Sequence, residues 1–157
     1  MENELIIKQL ITAWDGKVAQ AEKLFDKLGA TAPNHLIVPG GNSVLYLIGH
    51  LTVVSDRLLE AMNLEERVCP EWDALFLEAF NPQTVYPAYE RVRENWDQVK
   101  EKLDTHFNRM DVADWLTPHH YVSEEDFKKE PQRNVLNILI SRTAHLANHI
   151  GQLLLVK

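Results

Sequence analysis

Apolar residues recur at three- and four-residue steps in four long stretches of this chain, the period of an α-helix that buries one face. From Asn3 to Leu28 the repeating positions are Ile6, Leu10, Trp14, Val18, Ala21, Phe25 and Leu28. Gly29 then fits the left-handed position that commonly follows a helix end. From Ser43 to Asn63 the apolar face centres on Leu47, Leu51 and Leu58. Pro39, Gly40 and Gly41 break the chain before this stretch, and Asn42 or Ser43 can cap its first amides. From Thr84 to Phe107 the stripe is Tyr89, Val92, Trp96, Val99 and Leu103, with Pro87 in the first turn, where a missing N–H costs little. From Pro131 to Val156 it is Leu136, Leu139, Ile140, Thr143, Leu146, Ala147 and Ile150.

Strand signals are nearly absent, so the pattern predicts an all-α chain whose four long amphipathic helices pack as a four-helix bundle. The first connection is short to moderate, which makes the first two helices antiparallel neighbours. The stretches 64–83 and 108–130 are much longer and permit crossovers, so an up-down-down-up path is open as well as simple alternation. Residues 72–80 have room for an additional short helix.

Composition narrows the functional classes. The chain has 157 residues, 45% of them hydrophobic, which suits one domain over residues 1–157 with a sizeable core. Its formal net charge is −7, opposite in sign to the cationic face that nucleic acid or an anionic membrane requires. No stretch approaches the ~18–20 apolar residues of a membrane span. Acidic Glu2 and Glu4 stand where a signal peptide wants basic residues, and the expectation is a cytoplasmic protein. Cys69 is the only cysteine, which excludes an internal disulfide and reads as an ordinary thiol rather than a nucleophile.

Candidate chemistry lies in the histidines. His145 and His149 are four residues apart, one turn apart on nearly the same side of the last helix. His50 lies far upstream in the second periodic stretch. Three imidazoles with a coordination position left open would make a catalytic-type transition-metal site. None of the three sits at the centre of its helix's apolar face, which fits a solvent-reachable groove and equally fits three boundary histidines. Spacing alone leaves both readings open, and no Glu between His145 and His149 makes the zincin motif. His119 and His120, adjacent in a connection, read as exposed, and His35 and His106 as solvent-facing. Trp14 and Trp96 read as core; Trp72 and Trp115 pin a loop or wall a pocket. Gly49 and Gly151, each within two residues of one of these histidines, invite close approach by a neighbouring helix or by an exogenous metal ligand. Gln152 either hydrogen-bonds across the helix end or faces water.

His145, His149, Gly151 and Gln152 on a C-terminal helix resemble the signature of the DinB/YfiT superfamily. Gly41 to Val44 followed by Leu47 to Leu51 resembles that family's second-helix motif, although Asn42 stands where members often carry an aromatic residue. The superfamily comprises bacterial four-helix bundles with a histidine triad. The resemblance therefore implies that His50, His145 and His149 ligate a divalent transition metal, with zinc or nickel foremost. It further implies transfer or hydrolysis of a small-molecule substrate by a metal-activated thiol or water, a low-molecular-weight thiol serving as a cofactor. The alternative is a non-catalytic stress-response or oligomeric binding module with a structural metal or none. The apolar run Leu153 to Val156 suggests a homodimer contact. No catalytic base is assigned; Tyr46, Asp56 and Glu60 lie within a few turns of His50.

Overall fold

The structure is a computed structural model that describes residues 2–156. It contains α1 (Glu2–Leu24), α2 (Val44–Ala61), α3 (Asp73–Phe76), α4 (Tyr89–Phe107), α5 (Val112–Trp115), α6 (Glu124–Lys129) and α7 (Val135–Leu153). Among the described residues there is no strand, only two isolated bridges, Leu36 with Ser43 and Pro118 with Asn134. The all-α bundle expected from the hydrophobic period is what the chain forms. No helix among these residues is long and apolar enough to cross a membrane.

The helix ends follow local chemistry. Ser43 caps α2 by accepting from the Tyr46 amide, and Asn134 caps α7 by accepting from the Asn137 amide. The capping role of Asn134 starts the last helix at Val135, four residues later than Pro131. The third long helix likewise begins at Tyr89, not Thr84. Pro87 disfavours helix in the residue before it and lies ahead of the first turn, and Ala88 is extended with ψ 151°. Gly29 is no left-handed stop. After Leu24 the chain widens into a π-helical turn, Phe25–Gly29, whose glycine lies under the Tyr89 ring. A Cβ there would sit 2.1 Å from Tyr89 Cε2, and the same tyrosine donates its hydroxyl to the Phe25 carbonyl at 2.9 Å. The true left-handed residue is Asn63, with φ 54°, just past α2.

Contacts between the helix ends define the path. Glu22, near the end of α1, accepts from Trp96 Nε1 and Lys100 Nζ in the middle of α4, both at 3.2 Å, and Asp26, just past α1, pairs with Arg93 near the start of α4, so α1 and α4 are antiparallel. Glu65, just beyond α2, accepts from Lys102 and pairs with His106 near the end of α4, so α2 and α4 run parallel. The Val135 amide, opening α7, donates to the Thr117 carbonyl shortly after α4 ends. The order is therefore up-down-down-up. Side by side stand α1 with α7, α7 with α2, and α2 with α4. Thus α1 and α2 are antiparallel, as their short connection suggests, but they face each other across the bundle instead of packing as neighbours.

This arrangement buries α2 on nearly every side, including its polar Thr52, Ser55 and Asp56. In α1 the buried residue at the start is Ile7, while Ile6 is exposed. In α7 the buried face is Val135, Leu139, Leu146, Ile150 and Leu153, turned toward the histidine edge by packing against both α1 and α2. Ile140 is left 44% exposed. The terminal apolar run divides: Leu153 and Val156 belong to the core, while Leu154 and Leu155 face outward. Trp14, Trp72, Trp96 and Trp115 are all buried. Ser123 caps α6 over the acidic run that follows it.

Because α2 and α4 are parallel, residues 62–88 must climb the whole bundle. Asp56 fastens the start of this crossover. Its carboxylate, fully buried, accepts from Arg67 Nε at 2.9 Å and from the amides of Val68 at 2.6 Å and Cys69 at 3.2 Å. The Arg67 guanidinium also grips both oxygens of Asp73, opening α3. That guanidinium holds the Asp73 carboxyl below the usual carboxylate range. Burial first, and then the Asp56 carboxylate, push the Cys69 thiol up to about 12, so it is no nucleophile at neutral pH.

Candidate metal centre

His50 occupies the first half of α2, and His145 and His149 the last turns of α7. The antiparallel packing of these two helices brings all three together, each half-buried. His50 Nε2 lies 3.3 Å from His145 Nε2, and His149 Nε2 lies 3.2 Å from the same atom. The ligand nitrogens of the three residues all fall within 4.8 Å of one another.

The second nitrogen of two rings is already committed. His50 Nδ1 is 2.7 Å from the Phe76 carbonyl oxygen, which only accepts, so Nδ1 carries the proton and Nε2 presents its lone pair. His149 Nδ1 likewise donates to Gln152 Oε1 at 3.0 Å. Two lone pairs therefore converge on a third imidazole whose Nε2 holds at most one proton. Such crowding of acceptors suits a cation. A tetrahedral centre with metal–nitrogen bonds of about 2.0–2.1 Å has nitrogen–nitrogen edges of about 3.3–3.4 Å, close to the two distances between these rings. Carbonyl and amide acceptors behind metal-binding imidazoles commonly fix their tautomer and orientation in this way. The donor set therefore fits a divalent transition metal.

Electrostatics favours the neutral form of His50 and His145, the form that ligation requires. Burial, then His149, His50 and Arg142, push His145 down to about 4. Burial is also the main cause that lowers His50, assisted by His149 and Arg142 and opposed by the Phe76 carbonyl. A group with a depressed folded value stabilises the fold most above its unfolded value, here about 6.5, and the contribution fades as pH falls toward the folded value. The metal-free protein should thus lose melting temperature between about pH 6.5 and 4 more steeply than a His145→Gln variant. Thermal melts at matched ionic strength check this, and parallel curves would refute it.

The surroundings are aromatic. Tyr46 stacks on the His50 side, with centroids 6.1 Å apart, and also meets Phe76, Phe80 and Tyr86. Gly49 is where it is because of Phe76: a Cβ would stand 2.0 Å from Phe76 Cε1. No such crowding exists at Gly151, where a Cβ would meet nothing within 4 Å.

The remaining histidines stay apart from the triad. His35 is exposed, as expected. His106 pairs with Glu65 at 2.9 Å instead of facing free solvent. His120 is exposed, as adjacency in a connection suggested, and donates to Asn63 at 3.0 Å, whereas His119 is buried and accepts from the Tyr121 amide. Among the described residues, His50, His145 and His149 are the one grouping of three with metal-holding geometry.

A family model described as the DinB superfamily matches residues 10–153. This chain belongs to the DinB superfamily. The match runs from α1 past the last histidine, so every member of the triad falls inside it. No curated protein matches the chain. DinB-superfamily membership together with the histidine geometry fits a metal-binding protein. Two parts of the site had no sequence signal of their own: the Phe76 carbonyl, a backbone group delivered by the crossover, and Arg142, whose significance depends on what surrounds it. Gln152 was legible as a candidate because it stands in the family signature after His149, and of its two expected roles the structure shows hydrogen bonding, to His149.

Proposed function

We propose that this chain is a metal-dependent enzyme of the transferase or hydrolase type, with His50, His145 and His149 holding one divalent transition metal, zinc or nickel foremost. The observation that carries this reading is that the Nε2 atoms of His50 and His149 each stand at a metal-edge distance from His145 Nε2 while their own Nδ1 atoms are tied to acceptors. When bound by three neutral imidazoles, such a metal acts as a Lewis acid that acidifies a water or a thiol toward neutrality.

The chain's own residues supply orientation and shelter. Phe76 O and Gln152 Oε1 hold two rings with Nε2 inward. Tyr46, whose hydroxyl donates to the Glu78 carbonyl at 2.6 Å, and the rings of Phe76, Phe80 and Tyr86 keep water from one side of His50. The polar groups of α2 are engaged elsewhere: Asp56 with Arg67 and the crossover amides, Glu60 as acceptor of the Tyr121 hydroxyl. No carboxylate is therefore assigned as base, and the reaction rests on the nucleophile's own acidity. A small substrate and a low-molecular-weight thiol suit this arrangement.

Elemental analysis of untagged protein purified without added metal tests the site. The parent should carry about one transition metal per chain, and a His50/His145/His149→Ala variant none. Stoichiometric metal in the variant, or none in the parent after reconstitution with zinc, nickel and manganese, would overturn the assignment.

A further inference from the structure

We propose that Arg142, with Arg57 behind it, forms an oxyanion-binding subsite beside the histidine triad, so that the molecule bound there carries a carboxylate or phosphate group. Naming the substrate class in this way rests on the metal-site reading above; the anion subsite itself does not.

Arg142 lies on α7 one turn before His145, and its charge is felt by both His145 and His50. Arg57 lies on α2 two turns past His50, and because the helices are antiparallel the two guanidiniums fall in the same stretch of the α2–α7 groove. They repel one another: burial first and then Arg57 push Arg142 below its ordinary range. Arg142 is half-buried, yet no carboxylate pairs with it among the described residues. The nearby acids keep their charge but direct their oxygens at other donors. Asp56 and Asp73 grip Arg67, Asp73 reaches Arg57 only at 3.9 Å, and Glu60 accepts from Tyr121. A half-buried arginine without a counter-ion is unusual, more so in a chain of net charge −7. The triad adds a second call for an anion, since three neutral imidazoles bring no negative charge to a divalent cation. A bound anion neutralises both, and a guanidinium fork binds carboxylate and phosphate bidentately.

The test uses the full chain loaded with cobalt(II). It is titrated with 3-mercaptopropionate and with neutral 2-mercaptoethanol, following the thiolate-to-cobalt absorption band. In parallel, the metal-free protein is melted with inorganic phosphate or with chloride at equal ionic strength. At least one anion should respond: the charged thiol should bind tighter by about tenfold or more, or phosphate should raise Tm. That response should vanish in Arg142→Gln, survive in part in Arg142→Lys, and weaken in Arg57→Gln, while binding of 2-mercaptoethanol stays unchanged. Which probe responds tells carboxylate from phosphate. If neither anion responds in the parent, or the response is unaltered in Arg142→Gln, the subsite is wrong. A parent that binds no cobalt defeats the metal reading alone, and the phosphate melts of metal-free protein still decide the subsite.

Discussion

Replacing Asp56 with alanine should cost about 3–5 kcal/mol of unfolding free energy, the range seen when one partner of a buried ion pair is removed. The carboxylate has no solvent exposure and meets Arg67 and two backbone amides in one place. Alanine leaves those amides and part of a guanidinium with nothing to bond, and unpaired buried donors carry the full desolvation penalty. Asp56→Asn, which keeps an acceptor for the Val68 amide, should lose less. Asp73→Ala should lose least, because that side chain is 35% exposed and water can replace it. Urea denaturation of the three variants gives the ranking. An Asp56→Ala loss under about 1 kcal/mol would show that the crossover is held by its apolar contacts alone.

Gly49→Ala should destabilise the fold by about 1–2 kcal/mol, although helix propensity by itself favours alanine by about 1 kcal/mol. The added methyl would lie 2.0, 2.3 and 2.5 Å from Phe76 Cε1, Cζ and Cδ1. Those atoms end a side chain and could in principle swing away. The ring is fully buried, however, and Trp72 and Tyr86 stand beside it with centroids 5.6 and 5.4 Å away. Displacing Phe76 also displaces the carbonyl that orients His50, so metal affinity should fall together with stability. Gly151→Ala is the internal control: open space surrounds it, and the same substitution in the same kind of helix should be neutral or stabilising. Denaturation midpoints and a competitive metal titration on both variants check the pair. Equal behaviour of the two glycines would contradict the packing argument.

The bundle was legible because four long amphipathic stretches can bury their faces in few ways, and the histidines were legible because the spacing of His145 and His149 and the position of His50 match a family signature. Phase and partnership were less so. Ile6 and Ile7 are both apolar, and only the approach of a neighbouring helix decides that Ile7 is buried. Ile140 looks as much like core as Leu139 until α7 is seen wedged between α1 and α2. Gly29 carried the mark of a helix stop, but its lack of a side chain serves Tyr89, which is 60 positions away in the chain. The Phe76 carbonyl could not be found by residue type at all, since every residue has one. Arg142 stands out only because no carboxylate among the described residues pairs with it, and that is visible only once the neighbours are placed.

The two committed imidazoles differ in how inheritance can touch them. The acceptor behind His149 is a side chain, Gln152, and a single codon change removes it. The acceptor behind His50 is main chain, so any amino acid at position 76 still presents it, provided the crossover keeps its course. One ligand's basicity is thus open to adjustment by point mutation while the other's is insulated from it. Drift in reactivity among descendants of this protein should therefore run through loss of the acceptor at position 152, and on the His50 side only through changes that shift the crossover backbone, at Asp56 or in the packing of Phe76 on Gly49.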